Sequence, residues 1–472
     1  SAVPAGVYDN KWQKRINSVF GSATLGYKSM IYLDFTMRGD WSSTLPEENN
    51  FYTYPSATTS FIFTELPVLK DQTILSFGKV RLNWAQVGGD TNPYSTATVF
   101  VPLDNFGTDP NYRLPTTLNN PNLKPEKTTS YEVGTELKFL NNRLGIDFTY
   151  YNNQTVNQII PVPTSATTGY TQQIINAGKV TNKGIELLLT GTPIQMENGF
   201  SWDVTLNFAK NDNRINELAP GVNTYRLAGL FGIEVHAQEG EKYGTIKGYN
   251  YVTDANGNKI VGTNGRYIQR ATIESVGSYL PDWNAGLTNT FRYKGIELSA
   301  QIDMQKGGRM FSLTHMWGTY SGILERTAAN NIREDGIVVD GVYGTLDANG
   351  NVVYLNADGT PATGPVKNET VISAERWAWD HYSRARAGQN TFDTDYIKLR
   401  EVRIGYNLPK KYTGPFNNVK ISAYGRNLAI WGRAEGVDWD PEYVHGSGNV
   451  QGIEGGALPS LRTFGFNLTF DF

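Results

Sequence analysis

The sequence predicts an all-β fold, an antiparallel transmembrane β-barrel with long extracellular loops and short periplasmic turns. Three observations support this prediction. The chain ends on a strand with one aromatic face, similar two-faced strands recur along its length, and short connections alternate with long ones. A strand of about ten residues with one apolar and one polar face is the repeating unit of an outer-membrane barrel, and alternating connection lengths are typical of that fold.

The terminal strand is the clearest of these units. Residues 461–472 read LRTFGFNLTFDF, in which aromatic or aliphatic side chains occupy alternate positions up to Phe472. Successive side chains of a strand point to opposite faces. These residues therefore form one apolar face, and the intervening Thr, Gly, Asn and Asp residues form a polar one.

Thirteen strands of this kind can be counted along the chain. The odd number is informative, because bacterial single-chain barrels have even numbers of strands. We therefore expect residues 1–472 to be the C-terminal portion of one larger outer-membrane barrel domain, with an open edge that pairs elsewhere. The predicted strands lie near residues 15–26, 30–39, 55–65, 76–88, 128–139, 143–156, 180–191, 200–212, 283–293, 295–305, 394–407, 417–428 and 461–472.

The connections between these strands differ in length. Short turns are predicted at residues 26–29, 139–144 and 292–295. A soluble β-sandwich would show the same side-chain period, but it has no reason to place its long loops at one end. The long segments between the hairpins are residues 39–54, 89–128, 157–180, 212–282, 306–393 and 428–460.

Composition excludes several other classes of protein. The chain has 42 Lys and Arg against 45 Asp and Glu, a net charge of −3, and it has no basic run, which argues against nucleic-acid binding. The mean hydropathy is −0.40, and no segment approaches the ~18 consecutive apolar residues of a membrane-spanning helix. The absence of Cys fits export through the periplasm.

The opening residues carry no export signal. Residues 1–22 read SAVPAGVYDNKWQKRINSVFGS, which has neither the basic nor the apolar region of a signal peptide. Because an exported protein needs such a signal, we expect the chain to be a piece of a longer protein, either cleaved from it or encoded by a split gene.

Several stretches resemble the motifs of one family. Residues 119–134 read NNPNLKPEKTTSYEVG, and residues 176–186 read NAGKVTNKGIE. Together with the shorter stretches, they resemble the SusC-like (SusC/RagA-type) TonB-dependent transporters of the Gram-negative outer membrane, in the C-terminal part of the β-barrel. The shorter stretches are DFTMRGDWSS at 34–43, KVRLNW at 79–84 with Gly88, YGRNL at 424–428 and DWDPE at 438–442.

The resemblance implies a 22-stranded barrel, of which this chain would form about the last thirteen strands. It implies an N-terminal part of the same barrel, with a plug domain and a TonB box that this chain lacks. The implied function is nutrient import of glycan or peptide fragments, with a SusD-like surface lipoprotein as lid and TonB as energy-coupling partner. A dimer of such SusC–SusD pairs is left open. The implied location is the Gram-negative outer membrane, with the loops facing the cell exterior.

Each motif also has a structural interpretation. Lys124-Pro125-Glu126 ends a loop, where proline suits the start of a strand. Asn182-Lys183-Gly184 suits a turn or bulge at a barrel rim. We therefore expect backbone geometry, more than chemistry, to explain these residues.

Candidate catalytic residues are few. The four histidines lie far apart in predicted loops, with no HExxH or His-x-His spacing, so the sequence predicts no enzyme activity and no metal site. These histidines are His236, His315, His381 and His445.

Two identical stretches resemble the first half of a calcium-binding loop. Residues 254–258 and 347–351 both read DANGN, but Lys259 and Val352 stand where the loop needs glycine, and neither stretch supplies the final bidentate Glu. Asn-Gly is a hairpin-turn signal. We therefore expect two hairpins and no cofactor, and we leave a loop Ca²⁺ open as an alternative.

Aromatic residues outside the predicted strands are the candidate ligand-binding residues. Aromatic faces beside Asp, Arg and Asn suit recognition of sugars or peptides by stacking and hydrogen bonding. The alternative is that they pack the loops together or form an interfacial girdle. The candidates are Trp317, Tyr320, Trp377, Trp379, Tyr382, Trp431, Trp439 and Tyr443.

Two other functions stay open from the sequence. The first is a plugless outer-membrane channel or adhesin, which a plug and TonB box in the remaining sequence would exclude. The second is a soluble all-β glycan-binding protein, which dependence on detergent would exclude. The ligand itself is not predicted.

Overall fold

The computed structural model describes residues 11–70, 72–446, 448–456 and 458–472, so the first ten residues of the opening segment lie outside the described residues. The chain divides into two compact units. The first comprises Ser1–Gly191 and Asn211–Asn223, and the second comprises Thr192–Lys210 and Thr224–Phe472. Among the described residues, no helix combines the length and the apolar character needed to cross a membrane.

Residues 16–217 contain eleven strands, of which the first ten begin in the first unit. They are β1 (Ile16–Tyr27), β2 (Ile31–Ser42), β3 (Phe51–Ile62), β4 (Leu75–Gly89), β5 (Val101–Phe106), β6 (Asp109–Arg113), β7 (Thr117–Leu118), β8 (Glu126–Phe139), β9 (Leu144–Pro163), β10 (Gln172–Gln195) and β11 (Ser201–Glu217). The sheet order is β1-β2-β3-β4-β8-β9-β10, and these neighbours are antiparallel. β5 and β6 form a separate hairpin, and β7 pairs in parallel with β10.

The second unit adds strands β12 (Thr224–Leu230), β13 (Ile233–Gln238), β14 (Thr245–Gly248), β15 (Ile260–Val261), β16 (Glu274–Ser278), β17 (Trp283–Tyr293), β18 (Ile296–Lys306), β19 (Arg309–Ser312), β20 (Val342–Leu346), β21 (Val352–Tyr354), β22 (Thr391–Asp393), β23 (Tyr396–Asn407), β24 (Asn418–Trp431), β25 (Ile453–Glu454) and β26 (Thr463–Asp471). Its helices are α1 (Leu313–Tyr320), α2 (Ile332–Asp335), α3 (Ala374–Ser383) and α4 (Arg386–Asn390). The main sheet order is β11-β17-β18-β23-β24-β26, again antiparallel throughout.

The predicted all-β antiparallel fold is confirmed. Each of the thirteen predicted strands corresponds to one long strand of the main sheet order in the described residues, and the prediction at 283–293 coincides with β17. Two of the predicted long segments are wrong, because the strands continue into them. β9 extends to Pro163 and β10 begins at Gln172, so the connection predicted at 157–180 shrinks to residues 164–171. The connection predicted at 39–54 likewise shrinks to residues 43–50.

The main strands have one polar and one apolar face, as the alternation predicts. On the polar face of β4, β8 and β9, the Arg81 side chain crosses Gly134 to reach Asp147. Arg81 Nη1 donates to Asp147 Oδ2 at 3.1 Å, and Arg81 Nη2 donates to Thr149 Oγ1 at 2.6 Å. Glycine at position 134 leaves room for this crossing, because a Cβ atom there would overlap the Arg81 side chain at Nε.

The apolar face of the same three strands is exposed. Leu82 is registered against Val133, and Val133 against Tyr150, in one row across the sheet. The last strand continues this pattern, because Phe464, Phe466 and the other apolar residues of β26 are exposed too. An exposed apolar band of this kind is typical of a lipid-facing barrel surface.

The three longest connections of the second unit fold into a core of their own. Residues from β13, β14, β19, α1 and β25 form one buried cluster, in which Ile233, Phe311 and Ile453 are fully buried. A second cluster joins Val261, Ile332 and Trp377. The sequence did not predict these helices and small sheets. The long loops are therefore folded elements that can hold side chains in fixed positions.

We predict that Gly134→Ala destabilises the sheet by about 1–3 kcal/mol, because the added methyl group forces the Arg81 side chain away from Asp147. Thermal unfolding of the protein in detergent, followed by circular dichroism, measures this loss. Gly21→Ala in β1 is the matched control, since no heavy atom lies within 4 Å of a Cβ atom there. Equal losses in the two variants would contradict the packing argument.

Candidate functional site

The two longest sequence motifs contact each other in the first unit. The Asn176 side chain accepts a hydrogen bond from Lys124 N at 2.7 Å and donates to Lys124 O at 2.6 Å and Asn157 O at 3.0 Å. Glu126 Oε1 accepts from Ile159 N at 2.7 Å, and Leu123 is fully buried. These hydrogen bonds tie the start of β8 to β9 and β10, which is a role in backbone geometry. The turn or bulge expected at Asn182-Lys183-Gly184 is wrong, because these residues lie within β10 and pair in regular register with β9.

The DWDPE stretch joins the last long connection to the start of β23. Lys398 binds Asp440 and Glu442, and Arg400 binds Glu442 and Asp303. Lys398 is buried, so its charge requires these partners. This set of ion pairs, here called the acidic clasp, holds the connection 432–462 against the sheet.

The acidic clasp lowers the pKa of its Glu442 carboxyl group. Burial opposes ionisation of Glu442, but the hydrogen bonds from Arg400 and Lys398 outweigh it and lower the pKa of Glu442 to about 2 from its ordinary 4.5. The carboxylate therefore stays ionised at any physiological pH.

Four of the predicted ligand-binding residues lie together on two packed helices. Ser312 is the N-cap residue of α1, and its hydroxyl accepts a hydrogen bond from His315 N at 2.9 Å. Ser373 is the N-cap residue of α3, and its hydroxyl accepts a hydrogen bond from Arg376 N at 3.2 Å. Each helix carries two aromatic residues three positions apart, so that both rings lie on one face. These residues are Trp317 and Tyr320 on α1, and Trp379 and Tyr382 on α3.

These rings and Phe231 form a continuous group, here called the aromatic cluster. The ring centroids are 5.2 Å apart for Trp317 and Tyr382, 5.5 Å for Tyr320 and Trp379, and 5.5 Å for Phe231 and Trp317. Arg386 lies over the Tyr382 ring at 4.9 Å. Although the rings support one another, Trp317, Trp379 and Phe231 stay 37%, 45% and 46% exposed. The cluster therefore presents aromatic faces to solvent.

Three further predicted residues line a cavity in the second unit. The cavity has a volume of about 1130 Å³, and Trp377, Trp439 and Tyr443 contribute to its wall. Charged side chains from the three long connections and from β23 also line it. They are Lys259, Arg326, Arg433, Arg462, Lys398, Glu435, Asp438, Asp440 and Glu454.

Two histidines meet beside this cavity. The His315 and His381 ring centroids are 5.2 Å apart, and both Nδ1 atoms bond to Asn390 Oδ1, at 2.9 and 3.0 Å. Burial, together with neighbouring Arg326, lowers the pKa of His315 to about 4. Burial, together with His315, lowers the pKa of His381 to about 3. Both rings are therefore neutral near pH 7.

The sequence missed part of this site. It placed His315 and His381 far apart, because nothing in the sequence indicates that Asn390 joins them. It also missed Phe231, although the Phe231-Gly232 hairpin tip, with φ of 50° and 76°, marks an aromatic residue at an exposed turn. Trp431 was predicted to lie in a loop, and this is wrong. It is the last residue of β24, and it belongs to neither the aromatic cluster nor the lining of the cavity.

The two DANGN stretches form hairpin turns, as predicted. Asp254 accepts hydrogen bonds from the backbone N–H groups of Asn256 and Asn258, and Asp347 accepts the same bonds from Asn349 and Asn351. Each carboxylate thus stabilises its own turn. No group of three or more His, Asp or Glu side chains suited to a metal ion occurs in the described ranges. A loop Ca²⁺ stays an alternative prediction.

Comparison with known proteins identifies the family. The sequence model of one protein family, the TonB dependent receptor-like β-barrel, matches residues 1–428. The chain belongs to this family. Its members are outer-membrane receptors and transporters rather than enzymes, so the predicted resemblance and the prediction of no enzyme activity are confirmed.

Individual relatives agree with this assignment. TonB-dependent receptor P3 of Formosa agariphila is 26% identical over 490 residues, which cover 96% of this chain and 45% of the relative. TonB-dependent receptor SusC of Bacteroides thetaiotaomicron is 27% identical over 488 residues, which cover 96% of this chain and 43% of the relative. The chain thus spans less than half the length of these curated relatives.

A solved structure shares the fold. The RagAB peptide importer in its closed-closed state superposes with a TM-score of 0.74 at 18% identity, over 97% of this chain and 48% of that chain. The likeness supports the antiparallel barrel fold.

We predict that acid weakens the acidic clasp. Because the pKa of Glu442 is lower in the folded protein than its ordinary value, the stabilisation it provides is complete above about pH 4.5 and is lost as the pH falls toward 2. The melting temperature of Glu442→Gln should therefore lie below that of the wild type at pH 6, and the difference should shrink toward pH 2.

Glu435→Gln is the matched control in the same connection, since Glu435 is exposed and makes no ion pair in the described part of the chain. A wild-type-to-Glu442→Gln difference that stays constant between pH 6 and pH 2 would contradict the account of the acidic clasp.

Proposed function

We propose that this chain is part of a SusC/RagA-type nutrient importer and binds glycan or peptide fragments on connections that face the cell exterior. The observation that carries the proposal is the aromatic cluster. It lies on the connections 218–282 and 307–395, which leave the same end of the second unit's sheet. Solvent-facing rings on a folded, well-packed support suit the capture of sugar rings or peptide side chains.

The arrangement of the cluster favours binding over simple loop packing. Rings that only pack loops together become buried, as Trp377 does. Trp317 and Trp379 instead keep more than a third of their surface exposed, although the rings of Tyr320 and Tyr382 pack against them. Preorganised aromatic faces bind with little loss of side-chain entropy.

The partners in this proposal are those implied by the family. They are an N-terminal part of the same barrel with its plug, a SusD-like lipoprotein lid over the loops, and TonB, with two such pairs forming a dimer. The strand edges support the first of these. Among the described residues, β1 pairs only with β2, and β26 pairs only with β24. Unpaired strand edges are costly in lipid, so these edges support a proposal in which further strands of the N-terminal part pair with them.

Of the two alternatives, family membership argues against the soluble glycan-binding protein. The plugless channel or adhesin differs from the importer in its energy requirement. A channel passes solutes down their gradient without TonB, whereas an importer of this type accumulates them only when TonB is energised.

The test uses host cells lacking the gene and carrying either the wild type or a variant. Uptake of a fluorescently labelled oligosaccharide mixture and, separately, of labelled tryptic peptides is measured with and without TonB depletion. We expect TonB-dependent accumulation of at least one mixture. Trp317→Ala or Trp379→Ala should each reduce it about 2- to 10-fold, the value of one aromatic contact.

Trp431→Ala is the matched control, because this tryptophan is also exposed, at 52%, but lies outside the aromatic cluster. Uptake that survives TonB depletion would favour the plugless channel. Equal effects of Trp431→Ala and Trp379→Ala would contradict a binding role for the aromatic cluster.

A further inference from the structure

Arg326 is one of the cations that line the cavity. No carboxylate of the described residues lies within ion-pair distance of its guanidinium, which is partly buried and lies 4.9 Å from the Trp377 ring centroid. Lys398, by contrast, is held by Asp440 and Glu442. Lys259 lies over the Tyr251 and Tyr267 rings. Partly burying an arginine without a counter-ion is costly, and burial lowers its pKa.

A hydrogen-bond chain fixes the position of this guanidinium. Asn390 Nδ2 donates to His381 O at 2.9 Å and to Arg386 O at 2.8 Å, so its Oδ1 atom is the acceptor that faces the histidines. Both histidines must then carry their proton on Nδ1. His315 Nε2 is left with a lone pair, and it accepts a hydrogen bond from Arg326 Nη1.

This chain orients Arg326 but does not neutralise it. His315 is a neutral acceptor, since its pKa is about 4. It engages one N–H group of a guanidinium that has five. The described contacts of Arg326 therefore leave donors for a ligand with two acceptor atoms in a plane, the geometry of a carboxylate.

The acidic residues of the cavity are mostly committed elsewhere. Glu454 accepts from the Ser312 and Thr314 hydroxyls, at 2.6 and 2.7 Å, and Asp440 belongs to the acidic clasp. Glu435 and Asp438 are exposed and influence Arg326 only over a longer distance. A bound carboxylate would thus compete with two solvent-screened acids for the same cation.

We propose that this cavity is a subsite for the carboxylate group of the imported fragment, with Arg326 as the bidentate donor and Trp439 and Tyr443 as the flanking aromatic wall. The assignment of the ligand as an import substrate rests on the proposed function. The carboxylate comes from a peptide C-terminus or from a uronic acid, and both present the same planar pair of oxygen atoms.

The test measures binding to the purified protein in detergent by isothermal titration calorimetry. The probes are two matched pairs, trialanine with its C-terminal amide and trigalacturonate with its methyl ester. In the wild type we expect at least one acid to bind about 10-fold or more tightly than its neutral counterpart, a difference of about 1.4 kcal/mol. The pair that shows the difference identifies the source of the carboxylate.

Substitutions then locate the effect. Arg326→Gln should abolish the preference for the acid, and Arg326→Lys should keep part of it, because lysine retains the charge but not the planar donor pair. Arg376→Gln on α3 is the matched control, since Arg376 is exposed and does not line the cavity. Near-ultraviolet circular dichroism checks that the Arg326 variants keep their aromatic packing.

Two results would overturn the inference: equal or undetectable binding of acid and neutral probes by the wild type, or an unchanged preference in a folded Arg326→Gln variant. TonB-dependent uptake measured in cells separates this outcome from the proposed function. If uptake persists while the acid preference is absent, the subsite is wrong and the importer stands. If the preference is present without such uptake, the importer is wrong and the subsite stands.

Discussion

Pairing of antiparallel neighbours through backbone hydrogen bonds is the constraint on which this structure depends. In each unit, every long strand of the main sheet pairs with the next long strand along the chain, and the shorter strands between them belong to the connections. In lipid, every backbone N–H and C=O group must find a partner within the protein, and a ladder of this kind provides one for each. The pairing also sets the two faces. Arg81 can reach Asp147 across Gly134 only because the three strands are in register, and the same register lines up Leu82, Val133 and Tyr150 on the other face.

The sheet also determines what the long connections can do. In the second unit, three of them start and finish at the same end of the sheet, so their residues are confined near one another. They then acquire a core of their own around Ile233, Phe311 and Ile453. The acidic clasp between Lys398 and the last connection ties this core to a wall strand. On this support, the aromatic cluster and the Arg326 cavity have fixed geometry, which is the requirement for selective binding.

The sequence predicted the wall well, because its signal is local. Phe464, Phe466 and Leu468 alternate with polar residues, and no distant contact is needed to assign them to one face. The prediction was less accurate in β9 and β10, where Asn157 and Gly178 adopt φ of 56° and 85° and interrupt the alternation. The register is the same on both sides of this point, since Ala177 lies opposite Gln158 and Lys179 opposite Val156, but Asn157 and Gly178 themselves are not paired in the ladder. The site depends on contacts that are distant in sequence. Asn390 joins two histidines, and Arg326 reaches Trp377, through packing that no local pattern encodes.

The central claim, that the strands span a membrane with the long connections outside, is tested most directly by cysteine labelling, because the chain contains no native cysteine. Asn349→Cys lies on an exposed turn of the connection 307–395, and Glu197→Cys lies in the short turn 196–200 at the opposite end of the strands. Intact cells are treated with a maleimide on a polymer too large for outer-membrane porins. The account predicts that Asn349→Cys reacts on intact cells and that Glu197→Cys reacts only after the outer membrane is opened. Labelling of Glu197→Cys on intact cells, or protection of Asn349→Cys, would contradict it.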